Sequence, residues 1–135
     1  MTLDEFVINR DVEFTRNTVG IEDVKSIEAK LSNTFGEELK NYSLKYGYLA
    51  YKHIELYGLN SKQMLDSDMV KQTKYLHQYF KKTLDYIALE NCGDGCYAIV
   101  SAEDHVYKYY SEFDEMRDTG LKLFDYILSR FLEID

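Results

Sequence analysis

The chain is expected to fold as an α+β protein, with an antiparallel-rich sheet that ends in a C-terminal meander and is packed by about four helices. Apolar residues recur at helical spacing in 21–46, 69–80 and 119–134. β-Branched and aromatic runs fill 48–58 and much of 85–110, and tight-turn residues interrupt them. Helices towards both ends with strands between them argue for that class.

In chain order, Ile21, Val24, Ile27 and Leu31 make one apolar stripe, with Glu22 and Asp23 in the first turn where the macrodipole favours negative charge. A helix is predicted over 21–33. Leu39, Tyr42 and Tyr46 place a second over 37–46, closed by Gly47, which can take the left-handed conformation, and the two helices are expected to form a hairpin. YLAYKHIELYGL, turning at Gly58, reads as one or two extended segments. An acidic cap region at 66–68 precedes Met69, Thr73, Leu76 and Phe80, the stripe of a third helix. The runs 85–91, 96–101 and 105–110 form a three-stranded meander, and Leu121, Phe124, Ile127, Leu128 and Phe131 define a closing helix over 119–134 suited to packing on the sheet.

With 135 residues, no proline and no Ser/Gly linker or repeat, the chain is expected to be one domain over 1–135. Sixteen basic and 24 acidic residues give a formal charge of −8, which repels nucleic acid and anionic membrane and favours basic partners. Only Arg10, Arg16, Arg117 and Arg130 are arginines, so little is available for bidentate phosphate recognition. No run approaches the roughly 18 apolar residues of a membrane span. The acidic start MTLDEFVINRDVEF is unlike a signal peptide, so a cytoplasmic protein with reduced thiols is expected.

Both cysteines flank Gly-Asp-Gly in ENCGDGCYAIVS, residues 90–101. A zinc half-site would need a second ligand pair, and a redox pair would need C-x-x-C at a helix N-terminus. A disulfide is conceivable if Gly93-Asp94-Gly95 is a three-residue loop that sets Cys92 opposite Cys96, although opposed strand positions usually sit slightly too far apart. A plain hairpin with free thiols needs nothing more, because Gly and Asp accept the positive φ of tight turns. Of the histidines at 53, 77 and 105, His105 alone could approach the cysteines, across the next hairpin. DSDMVKQTKYLH fails as a calcium loop because Lys71 and His77 occupy the glycine and glutamate positions. Nucleophile-elbow, phosphate-loop and dinucleotide motifs are missing, and the carboxylate pairs of EFDEMRD are what 24 acids give by chance. No catalytic residue, metal ligand or cofactor is therefore assigned. Lys71, Lys74, Lys81 and Lys82 read as the solvated face of the third helix.

What remains is 13 tyrosines on an acidic background, and tyrosine offers large, rigid contact area to a partner. Tyr42 and Tyr107 are assigned to the core. Neighbours in YKYY point to opposite faces, which leaves Tyr48, Tyr109 and Tyr110 as candidate surface aromatics. Asp94, Glu103 and Asp104 are the candidate surface acids that accompany them.

The order of these signals resembles the SUKH superfamily over 19–133: IEDVKSIEAKL with Glu28, FGEELKNYSLKYG, HIELYGL, the Gly-Asp hairpin, HVYKYYSEF and LKLFDYILSRF. Glu28 looks like the family's first-helix glutamate, and Tyr46-Gly47 like its aromatic-to-glycine helix end. Leu56-Tyr57-Gly58 resembles its central strand, and Gly93-Asp94 its turn. Phe35-Gly36 stands where the family usually has Leu-Pro, which marks a divergent member. The resemblance implies an α+β fold and, as in many bacterial members, a non-catalytic immunity protein that binds and neutralises a cognate toxin. Acidity suits a basic, nuclease-like toxin domain as partner. A regulatory or scaffolding module like the fungal cell-wall regulators is the alternative. A small thiol- or metal-dependent enzyme centred on Cys92, Cys96 and His105 is an outside one.

Overall fold

A computed structural model describes residues 1–15, 18–59 and 68–135. The order is α1 (Leu3–Asn9), α2 (Ile21–Leu31), α3 (Glu37–Tyr46), β1 (Ala50–Tyr51), β2 (Ile54–Glu55), α4 (Met69–Tyr79), a 3₁₀ turn (Lys81–Thr83), β3 (Ile87–Gly93), β4 (Cys96–Val100), β5 (His105–Tyr110), β6 (Glu115–Lys122) and α5 (Leu123–Ile134). The expected α+β class and antiparallel C-terminal meander are both present.

The meander has four strands in the order β3-β4-β5-β6, one more than expected. EMRDTGLK carries few large apolar residues and has no buried position, so it lacks the greasy signature of the other strands. Residues 119–122, expected in the closing helix, belong to this strand. The helix instead begins at Leu123, after Gly120 takes φ 76° and Thr119 Oγ1 donates to the Val106 carbonyl at 2.6 Å. A fifth helix, α1, is held by aromatic packing: Phe6 stacks on Phe131 of α5 at 5.6 Å and meets Tyr51 of β1 edge-on at 5.2 Å.

Directly paired residues share a face of an antiparallel sheet. Tyr97, Ile99, Tyr107 and Tyr109 therefore line one face, over which Phe80 lies on Tyr109 and Tyr86 on Tyr107. Glu90, Ala98 and Lys108 line the other, where Tyr126 and Arg130 of α5 reach Glu90. At the β3 edge, Thr73 of α4 takes the Ala88 N–H and the Leu89 carbonyl accepts from Tyr57 N–H, which docks the β1–β2 hairpin. The core runs from Leu3 and Phe6 through Leu39, Tyr42 and Leu56 to Ile127 and Phe131.

Several helix ends are satisfied by carboxylates. Asp68 caps α4, while Asp66 of the predicted cap region lies outside the described residues. The α3 cap comes from the β4–β5 turn, where Asp104 accepts from the N–H groups of Glu38 at 3.0 Å and Leu39 at 3.1 Å. Glu38 in turn accepts from Phe124 N–H at the start of α5, at 2.9 Å. Gly36 makes room for this cap, since a Cβ there would stand 2.3 Å from Asp104 Oδ1. A side chain such as the family's proline does not fit that site unless Asp104 moves.

Gly36→Ala is expected to cost about 1–3 kcal/mol by overpacking, and Asp104→Ala about 1–2 kcal/mol as a lost cap, both read from urea unfolding. The double variant should lose less than the sum, because removing the carboxylate frees the space for the methyl. Additive losses would show that the two positions do not share this contact.

A second carboxylate ties the two ends of the described chain. Asp135 accepts from Arg10 Nε at 2.9 Å and from the Tyr51 hydroxyl at 2.7 Å. The Arg10 hydrogen bond, with help from Tyr51, draws the Asp135 carboxyl down to about 2 from 3.8. A depressed carboxylate stabilises the fold above its unfolded value, and that contribution disappears as pH falls through its folded value. The gap in thermal midpoint between the wild type and Asp135→Asn should therefore hold steady from pH 7 to 5 and close between about pH 4 and 2. A gap that stays constant to pH 2 would assign the contact no charge dependence.

Candidate partner-binding groove

The α2–α3 linker, the approach to β3 and the β4–β5 turn enclose an open groove of about 610 Å³. Each wall is held by a side-chain to main-chain bond. Glu28, on α2, accepts from Phe35 N–H at 2.7 Å and fixes the linker, so the residue matched to the family's glutamate has a structural task. Asn33 Nδ2 donates to the Leu84 carbonyl at 3.0 Å and ties the linker to the segment before β3. Ser101 Oγ accepts from Glu103 N–H at 3.3 Å and from His105 N–H at 3.2 Å, which shapes the turn. Asp104, at φ 69°, then points inward to cap α3 while Glu103 stays exposed.

The groove is acidic and aromatic. Asp85 and Tyr86 line it on the β3 side, Glu103, His105 and Tyr107 on the β4–β5 side, and Asn33 and Thr34 on the linker side. The Tyr86 and Tyr107 rings meet at 71° with centroids 5.4 Å apart. Among the described residues, no cation lies within ion-pair distance of Asp85 or Glu103. Burial raises the Tyr86 phenol, and Tyr107, Asp85, Glu103 and Asp118 raise it further, as expected in a negative local field. Asn33 Oδ1 is buried with no hydrogen-bond partner.

The six residues expected at a partner surface separate into two groups. Three are not surface residues. Tyr109 is 0% exposed beneath Phe80, with its hydroxyl donating to Asp114 at 2.5 Å, and burial followed by Asp114 pushes that phenol up to about 12. Tyr48 is 7% exposed, its phenol raised by burial and then by Glu13, and Asp104 is the 5%-exposed helix cap. The other three reach solvent, but at opposite ends of the sheet. Glu103 borders the groove, whereas Asp94 tips the β3–β4 hairpin and the half-buried Tyr110 lies under the Arg117 guanidinium at 4.9 Å. Tyr107, assigned to the core, is half-buried and lines the groove. The two rings share a face, and it is the placement of Phe80 over Tyr109 that decides which is covered. Asp85, Tyr86, Asn33 and Thr34 carried no sequence signal of their own, because only the fold brings three distant loops together.

The cysteine hairpin turns on two residues, not three. Asp94 (φ 53°) and Gly95 (φ 77°) form the tight turn, Gly93 pairs with Cys96, and Cys92 occupies the bulge between the Asn91 and Gly93 pairings. Cys92 is thus not the strand partner of Cys96, and both are free thiols. His105 does not approach them. It lies at the far end of β5 from Tyr110, the partner of Cys96, roughly 16 Å away at about 3.3 Å per strand residue. Among the described residues no three His, Cys, Asp or Glu side chains converge to hold a metal. None of the described helices is long and apolar enough to cross a membrane.

Cys92 Sγ instead sits 4.0 Å from the Tyr126 hydroxyl, which donates to Glu90 at 3.0 Å. Glu90, 2% exposed, also receives Arg130 Nε at 3.2 Å and Nη2 at 2.5 Å. Burial, with Glu90 and Cys96 adding to it, pushes the Cys92 thiol up to about 12 from 9.0. Since the thiolate is the nucleophile, iodoacetamide at pH 8 should alkylate Cys92 in a Cys96→Ser variant roughly a hundredfold or more slower than free cysteine. Intact-mass time courses measure this, and alkylation at the free-cysteine rate would mean that the thiol is neither buried nor held by Tyr126.

The SUKH_5 family model, described as SMI1-KNR4 cell-wall, matches residues 8–132. No curated protein matches the chain. The match runs from the end of α1 into α5 and includes every wall of the groove. The chain belongs to the SMI1-KNR4 family of the SUKH superfamily.

Proposed function

We propose that this chain is an immunity-type protein of the bacterial cytoplasm that binds a cognate toxin domain and neutralises it by occupation, with no catalysis of its own. The observation that carries the reading is the groove: an open concavity whose carboxylates have no described cationic partner, on a chain of net charge −8. Asp85 and Glu103 set their charge towards solvent, where it steers a basic partner, and Tyr86 and Tyr107 supply rigid contact area beside them. A basic, nuclease-like toxin domain fits this surface. Membership in the SUKH superfamily supports a protein-binding role.

The cell-wall description of the family favours a second reading, a regulatory or scaffolding interaction module with several weaker host partners.

The test begins with affinity capture from the source cell at low and high salt, followed by expression of the captured partner's domain alone and together with this chain. Growth arrest by the domain, relieved by co-expression, is expected. Asp85→Asn with Glu103→Gln should slow association roughly tenfold at low salt and by less at high salt. A captured partner that is harmless when expressed alone would favour the regulatory module.

A further inference from the structure

We propose that the groove is a slot for one arginine side chain of the protein partner. The proposal deepens the partner-binding reading and rests on it for the partner's being a protein. Carboxylates alone would attract any cation, but the groove combines two further features. Two half-buried tyrosine rings, packed edge-to-face on each other, line it, and a tyrosine ring is a favourable surface for a flat cation. Residues carrying hydrogen-bond acceptors are spread around the walls rather than gathered at one point: Asp85, Glu103 and Thr34.

A guanidinium matches that set better than an ammonium does. It is planar, stacks on tyrosine, and projects five donors in a fixed fork towards separated acceptors. An ammonium is a compact charge with three donors and a tighter hydration shell. The volume of about 610 Å³ also leaves space for the backbone that carries the side chain. The walls are held in advance by Glu28, Ser101 and Asp104, so little ordering is needed on binding.

The experiment titrates the ¹⁵N-labelled chain with N-acetyl-arginine methylamide, its lysine counterpart and the neutral isostere N-acetyl-citrulline methylamide. The arginine probe should bind with a Kd of order millimolar and shift the Asn33 side-chain amide together with backbone amides of 85–86 and 101–107. It should bind roughly tenfold more tightly than citrulline and severalfold more tightly than lysine. Asp85→Asn/Glu103→Gln, with its fold confirmed by its own spectrum, should weaken it about tenfold. Equal binding of arginine and citrulline, equal binding of arginine and lysine, or shifts scattered over the whole acidic surface would overturn the slot. The growth assay separates the two levels. Rescue of growth by a chain that shows no arginine preference removes the slot and leaves the immunity reading, whereas a seated arginine without any toxic partner removes the immunity reading and leaves the slot.

Discussion

The buried carboxylate of Asp104 is the contact on which the arrangement of this chain most depends. It belongs to a turn between two strands, yet it satisfies two main-chain donors at the start of α3. The first N–H groups of a helix have no partner within it, so a carboxylate there meets both an unmet hydrogen-bond demand and the positive end of the macrodipole. Because Glu38, inside that first turn, goes on to cap α5 at Phe124, the orientations of turn, α3 and α5 are set in one chain of contacts. The groove inherits its shape from this arrangement: one wall lies just before α3, another in the turn that carries Asp104. Glu103 is held in place by the residue next to it.

On the opposite face of the sheet, Glu90, Arg130, Tyr126 and Cys92 form a buried polar cluster that resembles catalytic machinery on paper. Its physics argues otherwise. Glu90 is fully engaged by Tyr126 and Arg130, the thiol is driven towards its protonated form, and α5 covers the cluster. Burying an ion pair gains little over well-packed apolar residues, whereas removing one partner leaves a stranded charge at a cost of about 3–5 kcal/mol. Such a pair therefore adds little net stability but penalises any packing of α5 that fails to bring Arg130 to Glu90.

The sequence revealed those elements whose apolar pattern is strong. α2, α3 and α4 follow from stripes at 3.6-residue spacing, and β3, β4 and β5 from aromatic and β-branched runs. The turn at Asp94-Gly95 was legible because positive φ selects those residues. α1 was missed because its seven residues are stabilised by Phe131 and Tyr51, far along the chain. β6 was missed because a half-exposed strand of charged residues has no strong alternation to detect. The split between Cys92 and Cys96 depended on a one-residue bulge, and register is a property of pairing that neither strand encodes alone.

The same limit governs the binding surface. Glu103 and Asp104 are adjacent acids of similar chemistry, and nothing in EDH distinguishes the one that will be buried. The distinction arises from the Ser101 turn, which puts residue 104 in the left-handed region and aims its side chain at α3. It also requires the empty space above Gly36, sixty-eight positions earlier. Net charge foretold an acidic protein, but which acids face a partner depends on which are spent inside, and the inventory of helix caps answers that. Asp104, Asp68, Glu38 and Glu28 are committed to main-chain donors, and Glu90 to Arg130. Asp85 and Glu103 are free of such commitments and border one cavity with two tyrosines, which is why we propose the partner contact there rather than at the hairpin of Asp94.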